Sequence, residues 1–196
     1  MKQEDISYQT KTKLAQSLKK YMLKKPLNKI TVSELIQDCK INRKTFYYHF
    51  ENIYALLKWM LEQEAIDVIK EYNLLVDYQQ AILFVINYVE SNEYLLNCAC
   101  DSLGRTEMKH FLFSDFYDIT RSVIDGKEKE LKLHVQDEFK DFLCILYTEA
   151  IAGMLMDWLS KHDHKDKQQI ISYFSLILNT SIPAVLQQST ISLPKK

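Results

Sequence analysis

The chain has 196 residues, 47% of them hydrophobic, with three glycines, three prolines and a net charge of −1. That content supports a real core in one or two small domains, and so few turn formers suit long helices and argue against a strand-and-turn architecture. The near-zero charge hides a split, because residues 1–50 carry 11 lysines and arginines against 4 acids while 51–196 carry 14 against 22, and a basic head on an acidic body points to a polyanionic partner for the head.

In chain order, residues 7–24 place Leu14, Leu18, Tyr21 and Met22 at helical spacing. Lys19, Lys20, Lys24 and Lys25 gather at the end, where they suit the helix dipole, and Pro26 stops the helix. After the link LNKI, Thr31 followed by Glu34 fits a capping box. Val32, Leu35 and Ile36 give the second helix, ending near Cys39, its apolar face. Lys40-Ile41-Asn42 is a tight turn, and Asn42 can cap a third helix over 43–49. Glu51-Asn52 reads as a boundary before a helix over roughly 52–72. Further helices are expected at 77–91, 93–102, 105–124, 135–161 and 166–188, punctuated by Gly104 and Gly126 and kinked at Pro183. The fold class is all-α, with no strand-like alternation and no internal repeat.

Two short helices joined by a three-residue turn form a helix-turn-helix, whose second helix enters the DNA major groove. That helix opens with Asn42, Arg43, Lys44 and Thr45. Arg43 and Lys44 can donate to guanine or phosphate, and Thr45 offers a hydroxyl and a methyl. Tyr47, Tyr48 and His49 carry donors suited to phosphate oxygens. Phe46 and Phe50 share the opposite face with Ile41 and are expected to pack against Val32, Leu35 and Leu18.

The stretch ITVSELIQDCKINRKTFYYHFENIYALL resembles the DNA-binding motif of the tetracycline-repressor (TetR) family over about fifty residues. Thr31, Val32, Ile36, Ile41, Thr45, Phe46, Tyr47, His49, Phe50, Asn52, Leu56 and Leu57 match the family pattern. Trp59 after the double leucine is similar to a Firmicute subgroup that includes the activator of the dihydroxyacetone kinase operon. Two positions depart: Lys40 stands where the family has a turn glycine, and Ile53 where it has a lysine that meets phosphate.

The resemblance implies a helix-turn-helix DNA-binding domain over 1–51 and a helical regulatory, ligand-binding and dimerisation domain over 52–196. The expected function is a transcriptional regulator, a repressor, binding double-stranded operator DNA as a homodimer. The alternative is a co-regulator or activator controlled by a partner protein instead of a small-molecule effector. Within this reading Arg43, Lys44 and Thr45 read or position, and Thr31, Tyr47, Tyr48 and His49 hold phosphates. The wide apolar arcs of 135–161 and 166–188, with Ala150 and Gly153 allowing close approach, suit a dimer interface.

The remaining residues give little chemistry. Cys39, Cys98, Cys100 and Cys144 lack zinc spacing and are expected to be reduced and mostly buried. His162-Asp163-His164 lies in a polar run and reads as an exposed loop, and His110 and His134 have no partner at a defined spacing. No phosphate loop or triad signature occurs, so neither an enzyme, a metal nor a cofactor is expected. Of Tyr72, Tyr78, Tyr88, Tyr94, Asn97, Tyr117, Tyr147 and Trp158, some could line an effector cavity in such a fold, but boundary packing is the favoured reading and no effector-binding residue is assigned. No run reaches about 18 uncharged apolar residues, with 142–159 broken by Glu149 and Asp157. The N-terminus lacks a signal-peptide core, so a cytoplasmic location with no membrane span is expected.

Overall fold

The computed structural model describes residues 3–161 and 166–192; the run His162-Asp163-His164 lies outside them. The described residues are helical with no strand. The chain forms two compact units, Met1–Val68 with Asn92–Met108, and Ile69–Ser91 with Lys109–Lys196.

The first unit holds α1 (Gln3–Met22), a 3-10 turn (Leu27–Lys29), α2 (Val32–Cys39), α3 (Arg43–His49), α4 (Ile53–Leu61), the start of α5 (Asp67–Glu71) and α7 (Glu93–Leu103). α1 packs against α2 and α4, and α2 packs against α3. Leu14, Leu18, Met22, Leu35, Phe46, Leu56 and Leu57 are fully buried between them. The predicted caps form. Glu34 N–H donates to the Thr31 hydroxyl at 3.3 Å, and Thr31 N–H donates to Glu34 Oε2 at 2.9 Å. Asn52 caps α4 by accepting from Ala55 N–H at 2.9 Å.

The turn between α2 and α3 takes the glycine-like route. Lys40 adopts φ 54° and ψ 44°, the left-handed region where a side chain is strained. Its N–H donates to the Gln37 carbonyl at 3.3 Å and the Ile41 N–H to the Ile36 carbonyl at 3.0 Å. This pair of bonds is a Schellman closure, usually built on glycine.

The helix expected over 52–72 is not uniform. Glu62–Ile66 winds as a π-helical turn between α4 and α5. Within the first unit that turn accompanies the ion pairs Lys19–Glu64 at 2.7 Å and Lys58–Glu62 at 3.9 Å.

The second unit holds α6 (Tyr78–Ser91), most of α8 (Arg105–Glu130), α9 (Asp137–Lys161), α10 (Lys167–Leu176) and α11 (Ile182–Ser192). Val123, Ile124, Leu143, Cys144, Ile182 and Leu186 form its core. Gly126 does not punctuate the helices as expected; α8 runs through it to Glu130. Its missing side chain has a packing reason, because a Cβ there would lie 2.8 Å from Leu75 Cδ1. The disturbance expected at Pro183 is present as a π-helical turn over Ile177–Ser181, upstream of a residue that has no N–H to donate back into the helix.

An ion network ties α8 to α9. Buried Lys140 meets Glu128 at 2.8 Å, Asp137 at 3.1 Å and Asp125 at 3.2 Å. Arg121 meets Asp125 at 2.8 Å and also pairs with Asp137 and Asp141. Burial opposes the Lys140 charge, but its hydrogen bonds to Glu128, Asp137 and Asp125 outweigh it and raise its pKa.

Length and composition alone would let two helical runs cross a membrane, Asp137–Leu159 and Lys167–Ile191, with mean hydropathies of 1.5 and 1.4. The expectation of no span rested on uninterrupted apolar runs. Residues 168–191 carry no charge, and only Gln, Ser, Asn and Thr interrupt them. Phe142, Ile145, Leu146 and Met154 on α9, with Tyr173 and Leu176 on α10, are exposed. Ordinary surface helices show a single inward stripe, so this is a second apolar face.

Candidate nucleic-acid interface

α3 begins where Asn42 can cap it. Asn42 Oδ1 accepts from the Thr45 N–H at 2.7 Å and from the Thr45 hydroxyl at 3.0 Å. Thr45 is thereby half-buried and turned to its own helix start. Phe46 is fully buried and Phe50 nearly so, as their spacing predicts, so the short helix shows one face to the core and one to solvent.

The outward face carries two groupings. In the first, Arg43 Nη1 donates to Ser33 Oγ and Nη2 to the Tyr47 hydroxyl, both at 3.4 Å. Its guanidinium lies 5.6 Å from the Tyr47 ring centre, within cation–π range. Tyr47 is 49% exposed. In the second, Tyr48 is 76% exposed and meets the His49 ring edge-on at 4.9 Å. Burial, and then the Lys11 charge, push the His49 pKa below its ordinary value, so the imidazole is mostly neutral at pH 7. Lys44 is exposed beside both groupings.

Thr31 sits at the start of α2, exposed, with its hydroxyl donating to Glu34 Oε2 at 2.8 Å. Lys25 pins the same carboxylate at 2.6 Å. That bond, followed by those from the Thr31 N–H and hydroxyl, holds the Glu34 carboxyl down at about 2. To hold a phosphate, Thr31 must turn its proton away from Glu34.

Ion pairs also temper the charge of the head. Lys19, Lys20 and Lys25 pair with Glu64, Asp38 and Glu34. Lys40 in the α2–α3 turn and Arg43 and Lys44 at the start of α3 are exposed, as is Lys29 ahead of α2.

Four participants were not assigned to this surface from sequence. Ser33 is a plain helix position until Arg43 is seen against it. Tyr8 and Trp59 extend the aromatic row of α3: Phe46–Phe50 at 6.1 Å, Phe50–Trp59 at 5.9 Å and Trp59–Tyr8 at 5.8 Å. Lys11 lies 5.9 Å from the Phe50 ring centre and 5.7 Å from that of Trp59. The sequence signals were the subgroup mark at Trp59 and the i, i+3 spacing of Tyr8 and Lys11 on α1.

The tyrosines considered for an effector do not converge. The Tyr117 hydroxyl donates to Asp141 at 3.0 Å, the Tyr147 hydroxyl lies 3.4 Å from that of Ser181, and Tyr72 and Tyr88 flank Phe84. An open groove of about 630 Å³ lies in the second unit, lined by Gln79, Leu83, Gln168, Ser172 and Asn179 among others, with no charged residue. Cys100 and Cys144 are buried and Cys39 and Cys98 half-buried, all as free thiols. Among the described residues no three potential metal ligands come together.

Residues 77–180 match a TetR-type family described as the transcriptional regulator C-terminal region. The chain is 26% identical over 156 residues to the HTH-type dhaKLM operon transcriptional activator DhaS of Lactococcus lactis subsp. lactis (strain IL1403), covering 79% of this chain and 81% of that protein. A solved structure named dihydroxyacetone kinase operon activator DhaS shares its fold, with a TM-score of 0.67 and 23% identity over 89% of this chain and 97% of that one.

Proposed function

Because the chain belongs to the TetR family of transcriptional regulators, we propose that it binds operator DNA as a homodimer, with residues 1–51 as the DNA-binding domain and 52–196 as the regulatory and dimerisation domain. The observation that carries this reading is the outward face of α3, where Arg43, Lys44, Tyr47 and Tyr48 stand exposed on a helix anchored by buried Phe46. Arg43 and Lys44 read base edges or meet phosphate, and Thr45 supports the helix start through Asn42. Tyr47, Tyr48, His49 and Thr31 hold the backbone. Two copies pair through the exposed apolar faces of α9 and α10–α11 and address half-sites roughly 34–36 Å apart.

Regulation acts through the chain that joins head to body, α4 to α5. A ligand or partner on the second unit favours one position of that segment over another, which shifts the population competent for DNA. Repression by operator occupancy is the reading carried from the sequence. A second reading is favoured by the similar Lactococcus lactis protein, whose name is that of an operon activator: activation, with the second unit governed by a partner protein. The regulators are non-enzymatic in both readings, and they work on DNA in the cytoplasm.

The test is fluorescence anisotropy of the full chain on the duplex upstream of its own gene at two salt concentrations. The reading expects binding that exceeds a scrambled duplex and weakens with salt. Equal, salt-insensitive affinity for both duplexes would remove it. A promoter reporter with and without the protein separates repression from activation.

A further inference from the structure

Beside the recognition helix, within the first unit, is a small open groove lined by Glu4, Ser7, Tyr8, Lys11 and Tyr48. Its walls are the first half of α1 and the outer end of α3. Three of the five side chains are hydroxyl donors, one is an ammonium and one a carboxylate. The volume is about 320 Å³, enough for a phosphate group with its waters.

We propose that this groove is an additional contact for the DNA phosphodiester backbone, with Lys11 as its charged ligand and Tyr8, Ser7 and Tyr48 as hydroxyl donors. The proposal rests on the DNA-binding reading and extends the interface from α2 and α3 to α1. Three observations carry it. Tyr48 is the most exposed aromatic of α3 and belongs both to the outward face and to this groove. Lys11 is positioned, not loose: its ammonium lies 5.9 and 5.7 Å from the ring centres of Phe50 and Trp59, and the Tyr8 ring packs edge-on against Trp59 at 5.8 Å. A cation held at a ring face loses less side-chain freedom when it binds an anion. The Phe50 ring in turn packs against buried Phe46 and against Trp59, which fixes the rings under Lys11. Ion pairs take up Lys19, Lys20 and Lys25 farther along α1 and past its end, whereas Lys11 lines the groove.

Glu4 gives the proposal its sharpest test, because its carboxylate opposes a phosphate in the same groove that Lys11 favours. The experiment measures affinity of the full chain for a mixed-sequence duplex across a salt series, since phosphate contacts do not read sequence. Lys11→Gln should weaken binding and lower the slope of log affinity against log salt by about one. Lys11→Arg should keep the slope. Glu4→Gln should tighten binding by about twofold, as for loss of one exposed like-charge repulsion. Lys13→Gln, an exposed lysine on another side of α1, should leave the slope closer to wild type than Lys11→Gln does. Thermal melts of each variant check that the head is folded, and Lys11→Arg keeps the test valid if Lys11→Gln melts early. A wild-type slope in Lys11→Gln, an equal loss in Lys13→Gln, or weaker binding by Glu4→Gln would each overturn the groove as a phosphate site. Absence of salt-dependent binding by the wild type would instead overturn the DNA-binding reading itself.

Discussion

The guanidinium of Arg43 stands 5.6 Å from the centre of the Tyr47 ring, with Nη2 donating to the Tyr47 hydroxyl at 3.4 Å and Nη1 to Ser33 at 3.4 Å. The planar fork is thus held in place at the start of α3. Lysine cannot reproduce that fork or its stacking. Arg43→Lys should therefore lower operator affinity by about tenfold and blunt discrimination between base-substituted operators. Competition anisotropy with such operators checks it; undiminished discrimination would show that Arg43 meets only phosphate.

Lys40 occupies the left-handed region at φ 54°. Glycine takes that conformation without the Cβ penalty, offset in part by its greater freedom in the unfolded chain. Lys40→Gly should stabilise the protein by about 0.5–1 kcal/mol in urea titration. It should also cost DNA affinity at low salt if the Lys40 charge faces the duplex.

Burial and the Lys11 charge keep the folded pKa of His49 below its ordinary 6.5. A depressed folded pKa means that the associated stability is present above the unfolded value and is lost as pH falls through the folded one. Phosphate contact has the opposite preference, since it favours the imidazolium. DNA binding should then tighten as pH falls through that window, and His49→Gln should flatten the profile. Anisotropy from pH 8 down to the onset of acid unfolding gives the comparison.

Lys140 is 8% exposed and answers three carboxylates at once. Lys140→Met removes the cation and leaves Glu128, itself largely buried, without its ammonium partner. The loss should be about 2–3 kcal/mol, below the full cost for a buried pair because Asp137 keeps solvent and Asp125 keeps Arg121. Chemical denaturation followed by the tryptophan signal measures it. A change under 0.5 kcal/mol would mean that the network is only a surface arrangement.

The head was legible in the sequence because its signals are local. Thr31 with Glu34, and Asn42 as a cap residue, mark helix starts by residue type and spacing, and Phe46 and Phe50 mark the inward face. What stayed hidden depends on residues far apart in the chain. Gly126 looked like a break, yet its bare Cα makes room for Leu75. Lys140 carries no local signal, and its partners Glu128 and Asp125 come from α8. Trp59 was seen as a mark of a subgroup, whereas its position beside Phe50, Tyr8 and Lys11 gives it a structural role. The Thr31 hydroxyl looked available for phosphate, and only the structure shows it donating to Glu34. The π-helical turn at Glu62–Ile66 has no counterpart in the periodicity of 52–72, where the apolar spacing reads as an ordinary helix.

The most direct measurement is the affinity of the Arg43→Ala, Tyr47→Ala double variant for the duplex upstream of the gene, made beside the wild type by anisotropy, with the dimer mass checked by light scattering. If α3 is the reading surface, specific binding disappears while the dimer and its melting behaviour are kept. Wild-type affinity in a folded, dimeric double variant would contradict the assignment of α3 to DNA.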